Sequence, residues 1–247
     1  MRRSLLVPLF AVSLVLASCV RSASPSVSGT ATIFPPITPT IVPADFPLEL
    51  GTTWIYDYST FYEEEEATWS VTDTIVAVNI REGFLIAEVE QSVLSISGDV
   101  TEEFLNAPKG GHFWYLFDGV RLYKQDEETD PASVADAWLE LVFPLGGSGC
   151  WFPDAHQRDE MKGVTPVSGA VAGCRSVSGD PYTIELPAGK FESCIDLVTP
   201  YEEGPTVLTF CPGVGIVATR FEPSDVAFGY RSSLTGYLLP TSNGTSP

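Results

Sequence analysis

Apolar and polar residues alternate with a period of two through most of residues 45–239, and a chain patterned this way buries its apolar face by pairing strands into a sheet. Trp54, Tyr56 and Tyr58 fall on one face of a strand, with Asp57 and Ser59 on the other. Trp69 and Val71, then Ile75 and Ala77, repeat the alternation, and Leu85, Ala87 and Val89 do so again opposite Glu88 and Glu90. In "FWYLFDGVRLYK" the pair Asp118-Gly119 separates two apolar runs; Asp-Gly supplies the positive φ of a tight hairpin turn. One stretch reads differently. In "DPASVADAWLELVF", residues 130–143, Asp130 can cap a helix, Pro131 suits its first turn, and Val134, Trp138 and Leu141 share a helical face. The expected fold is mainly β, an antiparallel curved sheet with one short helix.

The ends of the chain are patterned otherwise. "MRRSLLVPLFAVSLVLASC" has a basic start, an apolar run too short for a comfortable membrane span and a small-residue end, the composition of a secretory signal over residues 1–18. Its last residues, Leu16-Ala17-Ser18-Cys19, resemble the lipobox of bacterial lipoproteins. That resemblance implies a lipidated Cys19 at the mature N-terminus and a place on the extracytoplasmic face of a bacterial cell envelope. Several acyl chains on one cysteine make a stable anchor where one does not. Residues 19–44 are rich in Ser, Thr and Pro, too poor in apolar surface to fold, and read as a tether; residues 240–247 read as a loose polar tail. Removing Arg2 and Arg3 with the signal takes the formal charge from −19 to −21. So acidic a chain repels phosphate backbones, and no nucleic-acid partner is expected.

Four cysteines follow Cys19: Cys150, Cys174, Cys194 and Cys211. An even number in an exported chain favours two disulfides. If "GKFESCIDLVTP" and "TVLTFCPG" fold back about Glu202-Glu203, Cys194 lands opposite Cys211, Ile195 beside Phe210 and Leu197 beside Leu208. A single register satisfies all three pairs, so Cys194 is assigned to Cys211 and Cys150 to Cys174. No Cys-x-x-Cys motif marks a reactive thiol.

Chemistry-bearing clusters are sparse. In "DAHQRDE", residues 154–160, Asp154, His156 and Glu160 suggest a metal-assisted hydrolase, but the chain holds only two histidines, and a polar surface loop is the simpler expectation. His112, beside an aromatic strand, reads as a hydrogen-bonding residue. Glu63 to Glu66 lack the alternation and glycine of a calcium loop and read as a solvated hairpin loop. "GGSGC" around Ser148 lacks the last glycine of a nucleophile elbow, and "PGVGIV", residues 212–217, the third glycine of a dinucleotide loop. No catalytic residue, metal ligand or cofactor site is assigned.

The aromatic residues are a core by default; on a curved sheet they can also wall a groove, for which Trp54, Tyr56, Tyr58, Trp69 and Trp114 are the candidates. An internal echo bears on the architecture. "FPLELGTTW", residues 46–54, and "FPLGGSGCW", residues 143–151, share Phe-Pro-Leu-x5-Trp. Each is followed by a strand after a glycine and by a hairpin whose last strand opens with Gly-Val. The echo predicts two similar β units, 45–141 and 142–239, in one continuous sheet, with Trp54 and Trp151 buried at equivalent places.

Residues 46–56 carry Phe-Pro-Leu-x-x-Gly-x-x-Trp-x-Tyr, 188–194 carry Ala-Gly-x-Phe-x-x-Cys, and 213–217 carry Gly-Val-Gly-x-Val. Together these resemble a group of uncharacterised bacterial lipoproteins. The resemblance implies an antiparallel sheet curled into an open or half barrel and brings no activity with it. The resulting expectation is a lipid-anchored, extracytoplasmic binding or envelope-associated module, not an enzyme. The alternatives are a hydrolase built on 154–160 and an interaction scaffold without a small ligand.

Overall fold

The computed structural model describes residues 45–62, 65–98, 110–126, 134, 137–145, 149–162, 171–221, 223 and 228–240. The signal, Cys19, the tether, most of the tail and Ser148 lie outside them.

Eleven strands form one antiparallel sheet. They are β1 (Thr53–Tyr62), β2 (Glu65–Arg81), β3 (Phe84–Ser97), β4 (Gly111–Phe117), β5 (Arg121–Gln125), β6 (Trp138–Val142), β7 (Ser176–Leu186), β8 (Gly189–Thr199), β9 (Thr206–Cys211), β10 (Gly215–Phe221) and β11 (Phe228–Leu238). Their order across the sheet is β6-β5-β4-β3-β2-β1-β11-β10-β9-β8-β7. The sheet curls into a half barrel, and the face turned inward holds the main core, including Trp54, Trp69, Val71, Ile75, Val89, Leu122, Leu197, Phe210 and Leu234. A smaller cluster of Ile86, Leu116, Tyr123, Ala137 and Leu139 covers part of the other face.

Local chemistry accounts for the turns. Between β4 and β5, Asp118 and Arg121 bracket a two-residue loop; Asp118 N–H donates to Arg121 O at 3.2 Å. Gly119 takes the positive φ, 98°, at the first loop residue, which is where the mirror-image turns that match strand twist demand it. The Asp118 carboxylate accepts from the N–H groups of Val120 and Arg121 at 2.9 and 2.6 Å. Strands β8 and β9 pair as Ile195↔Phe210, Asp196↔Thr209 and Leu197↔Leu208, the register read from the apolar alternation. Disulfides join Cys194 to Cys211 and Cys150 to Cys174.

The segment before β1 seals one end of the barrel. Phe46 and Leu48 are buried, and the Phe46 ring packs against Trp54, Tyr115 and Phe210. A Cβ on Gly215, whose φ is +105°, would lie 3.0 Å from that ring, so glycine is needed there both for space and for conformation. Gly213 N–H donates to Asp45 O at 2.8 Å. Trp54 Nε1 donates to Val214 O and the Tyr56 hydroxyl to Ile216 O, each at 2.7 Å. The motifs at 46–56 and 213–217 are thus two halves of one packed joint.

Two sequence expectations are corrected. The helix expected over 130–143 is absent where it can be seen, since Trp138–Val142 is strand β6; residues 130–133 lie outside the described ones. Pairing of Leu122 with Leu141 and Arg121 with Val142 extends the sheet beyond β5, and that ladder outweighs a weak helical preference. The helix stands instead at α1, Ala155–Glu160, inside the stretch expected to be a loop, with Asp154 as its N-cap. Likewise Glu65 and Glu66 belong to β2 rather than to a four-residue loop.

The two echoed segments enter the sheet differently. Trp54 opens β1, paired with Asp73 of β2 and Tyr237 of β11. Trp151 sits in the corresponding place between β6 and β7, but there the strand is reduced to one bridge with Arg175 and a bond from Leu139 N–H to Pro153 O at 2.8 Å. Trp54 is buried, and Trp151 is partly buried and packs against both core clusters.

Candidate functional site

Part of the inward face stays open as a cavity of about 630 Å³, within the usual range for small-molecule sites. What keeps it open is a change of residue type along the inward positions. In β2 those positions run Trp69, Val71, Asp73, Ile75, and all four are buried. Gln91 follows Val89 on β3, and Lys124 follows Leu122 on β5. Register aligns them: Asp73 lies directly opposite Gln91, whose Nε2 donates to Asp73 Oδ1 at 2.9 Å. Thr219 on β10 and Ser232 on β11 continue the polar band around the wall and are themselves paired.

Aromatic rings alternate with this band. Tyr56, Tyr58, Tyr115, Tyr201 and Tyr230 line the cavity together with Phe113, and Trp138, Phe221 and Phe228 complete its rim. Burial pushes the phenols of Tyr56, Tyr58 and Tyr115 well up, and the nearby Asp73 and Glu140 carboxylates push them further in the same direction. All three therefore stay neutral at physiological pH. Asp73 is itself raised from the usual carboxylate range, first by burial, against the Gln91 hydrogen bond and the charge of Lys124, which act to lower it.

The cations of the cavity are each committed to an acid and an aromatic ring. Lys124 Nζ stands 4.2 Å from the centroid of Phe113 and 3.8 Å from Asp126 Oδ1. Arg175 is almost wholly buried; its Nε donates to Thr199 Oγ1 at 3.0 Å and its Nη1 to Glu140 O at 2.8 Å. The same Nη1 lies 3.5 Å from Glu140 Oε2, and the guanidinium carbon 6.0 Å from the Trp138 ring centroid. Arg175 thereby ties β6 to the end of β8 across the gap between the edge strands.

Of the aromatics expected to face a ligand, Tyr56 and Tyr58 line the cavity, and the Tyr56 hydroxyl is held by Ile216 O. Trp54 and Trp69 are buried in the core and are not among the residues that line the cavity. Trp114 points to the opposite face, against the smaller cluster of Ile86 and Leu116, because alternation sends its neighbours Phe113 and Tyr115 inward. The charged residues Asp73, Lys124, Glu140 and Arg175 were not among the candidates. Asp73 was nonetheless visible as a carboxylate at an inward position of an otherwise apolar alternation.

The 154–160 stretch does not assemble a site. Asp154 Oδ1 accepts from Gln157 N–H at 2.9 Å as a helix cap. His156 and Glu160 lie one turn apart, 3.4 Å between Nδ1 and Oε1, with both side chains exposed. Among the described residues no three His, Cys, Asp or Glu converge as metal ligands would. His112 Nδ1 lies 2.8 Å from Glu88 Oε1.

No protein-family model and no curated protein matches the chain. Among solved structures, a "putative lipoprotein" from Parabacteroides distasonis ATCC 8503 superposes with a TM-score of 0.41 at 13% identity, over 78% of this chain and 97% of that one. A "putative exported protein with YmcC-like fold" from Bacteroides fragilis NCTC 9343 gives 0.42 at 11% identity, over 78% and 98%. At this level of superposition nothing about binding or activity transfers.

Proposed function

We propose that this chain is an extracytoplasmic binding module, anchored to a membrane through lipid on Cys19, whose half barrel takes a small ligand in its cavity without catalysing a reaction. The observation that carries the reading is the cavity of about 630 Å³ walled by five tyrosines and a band of polar side chains that includes the buried Asp73. A barrel built only to be stable fills its interior with apolar side chains. Here the inward positions include a buried carboxylate, Asp73, beside the partly buried Gln91 and Lys124, and burying that carboxylate costs free energy.

The test is a thermal-shift and calorimetric screen of the folded domain against a panel of sugars, amines, amino acids and carboxylates. A ligand that raises the melting temperature of the native domain and fails to do so in Thr219→Trp, where an indole occupies the cavity, supports the reading. A panel giving no shift, or shifts indifferent to that substitution, overturns it. The anchor is tested apart: Cys19→Ala is expected to move the protein from the membrane fraction to the soluble one.

A further inference from the structure

We propose that the ligand is a small organic cation, an alkylated or primary ammonium, received between the tyrosine rings and the Asp73 carboxylate; this rests on reading the cavity as a ligand site. The cavity already handles cations in this manner. Its two basic groups, Lys124 and Arg175, each stand over an aromatic ring and beside a carboxylate, Phe113 with Asp126 and Trp138 with Glu140. A ring face attracts a cation through its quadrupole, most strongly where water is excluded.

Among the described lining residues, the acids Asp73, Asp126, Glu140 and Glu203 exceed the bases by two. Glu140 and Asp126 are engaged as above, whereas the hydrogen-bond partner of the buried Asp73 is the neutral Gln91. Tyr58 and Tyr115, whose phenols feel the charge of Asp73, place aromatic surface in the same space. An incoming ammonium would neutralise Asp73 and stack on those rings in one placement. An anion meets the acid surplus and a mature chain of charge −21, which also concentrates cations around the protein. An acyl chain would strip water from the carboxylates and return nothing to them. A neutral saccharide could stack on the rings but would bring no charge to Asp73 beyond that of Lys124.

Isothermal titration of the folded domain with choline, 1,5-diaminopentane, 3,3-dimethyl-1-butanol and maltotriose separates these cases. The butanol has the shape of choline with carbon in place of the charged nitrogen. Choline or the diamine is expected to bind, the butanol about tenfold more weakly or worse. Asp73→Asn, which keeps an acceptor for Gln91, and Tyr58→Leu, which keeps apolar bulk but removes the ring, are each expected to weaken the cation about tenfold or more, with a melting temperature no lower for Asp73→Asn as the control for folding. Equal binding of choline and the butanol, binding of maltotriose alone, or no binding of either cation overturns the cation assignment. If a ligand from the wider panel is still blocked by Thr219→Trp, the cavity reading stands without it; if none is, both fall.

Discussion

Asp73 illustrates how one residue carries both a cost and a use. Its inward position on β2 comes from the period of the strand, which places it between Val71 and Ile75 in the core. Burial raises its pKa, so the folded protein holds that proton more tightly than the unfolded chain does. The sign follows: the stabilisation from protonating Asp73 is full below the ordinary aspartate pKa of about 3.9 and is lost as pH rises through the raised folded value. Asp73→Asn should therefore melt at a higher temperature than the native protein at pH 7, and the difference should shrink as pH falls toward that ordinary value. Melting curves of both proteins between pH 3.5 and 8 would show it; a gap that does not close with acid would contradict a charge-burial cost. Gly215 makes the complementary case. Ala there meets the Phe46 ring and an unfavourable φ, and a loss of about 1–3 kcal/mol is expected in denaturant unfolding.

Elements were legible in the sequence where a face is apolar, and illegible where tertiary pairing decides. The register of β8 on β9 followed from the Cys194–Cys211 pair with Ile195, Leu197, Leu208 and Phe210, because a slip by one residue would turn Ile195 and Leu197 away from Leu208 and Phe210. Strand β6 did not, since "WLELV" has too few residues to show a period and its pairing partner β5 is what selects the extended form. The cavity was legible only as an exception: inward Asp73, Gln91 and Lys124 break three separate alternations, and nothing local says that sheet curvature brings them to one wall. Arg175 lies outside the regular strands, so no period could have found it. Its burial beside Glu140 predicts a large effect. Arg175→Ala should cost about 3–5 kcal/mol by chemical denaturation, because the Glu140 carboxylate stays buried without its cation; Glu140→Gln should cost less, since the guanidinium keeps Thr199 Oγ1 and the Glu140 carbonyl.

At the scale of the molecule, the two echoed Phe-Pro-Leu segments converge: Phe46 and Phe143 both pack against Phe210, with ring centroids 6.4 and 6.1 Å from it. The residues opposite the echoed tryptophans, Asp73 across from Trp54 and Arg175 across from Trp151, both line the cavity. Opposite charges thus face the two tryptophans along the cavity wall. The halves differ in how their first strand is held. In the first half β1 has ten residues between β2 and β11. In the second half the single Trp151–Arg175 bridge does the joining, reinforced by the Cys150–Cys174 disulfide beside it. The two disulfides should therefore differ in what they guard, though each loop is of a size worth about 3 kcal/mol. Replacing Cys194 and Cys211 by serine removes a link between strands already paired over five positions, and should lower stability without a local change in hydrogen exchange. Replacing Cys150 and Cys174 by serine leaves β6 and β7 joined by the Trp151–Arg175 bridge, the Leu139–Pro153 hydrogen bond and the Arg175 side chain. Amide exchange measured by mass spectrometry should then accelerate in 138–142, 149–153 and 171–176, while β1, β2 and β11 keep their protection. Uniform acceleration across the sheet would mean that the bridge is an ordinary part of the barrel rather than its seam.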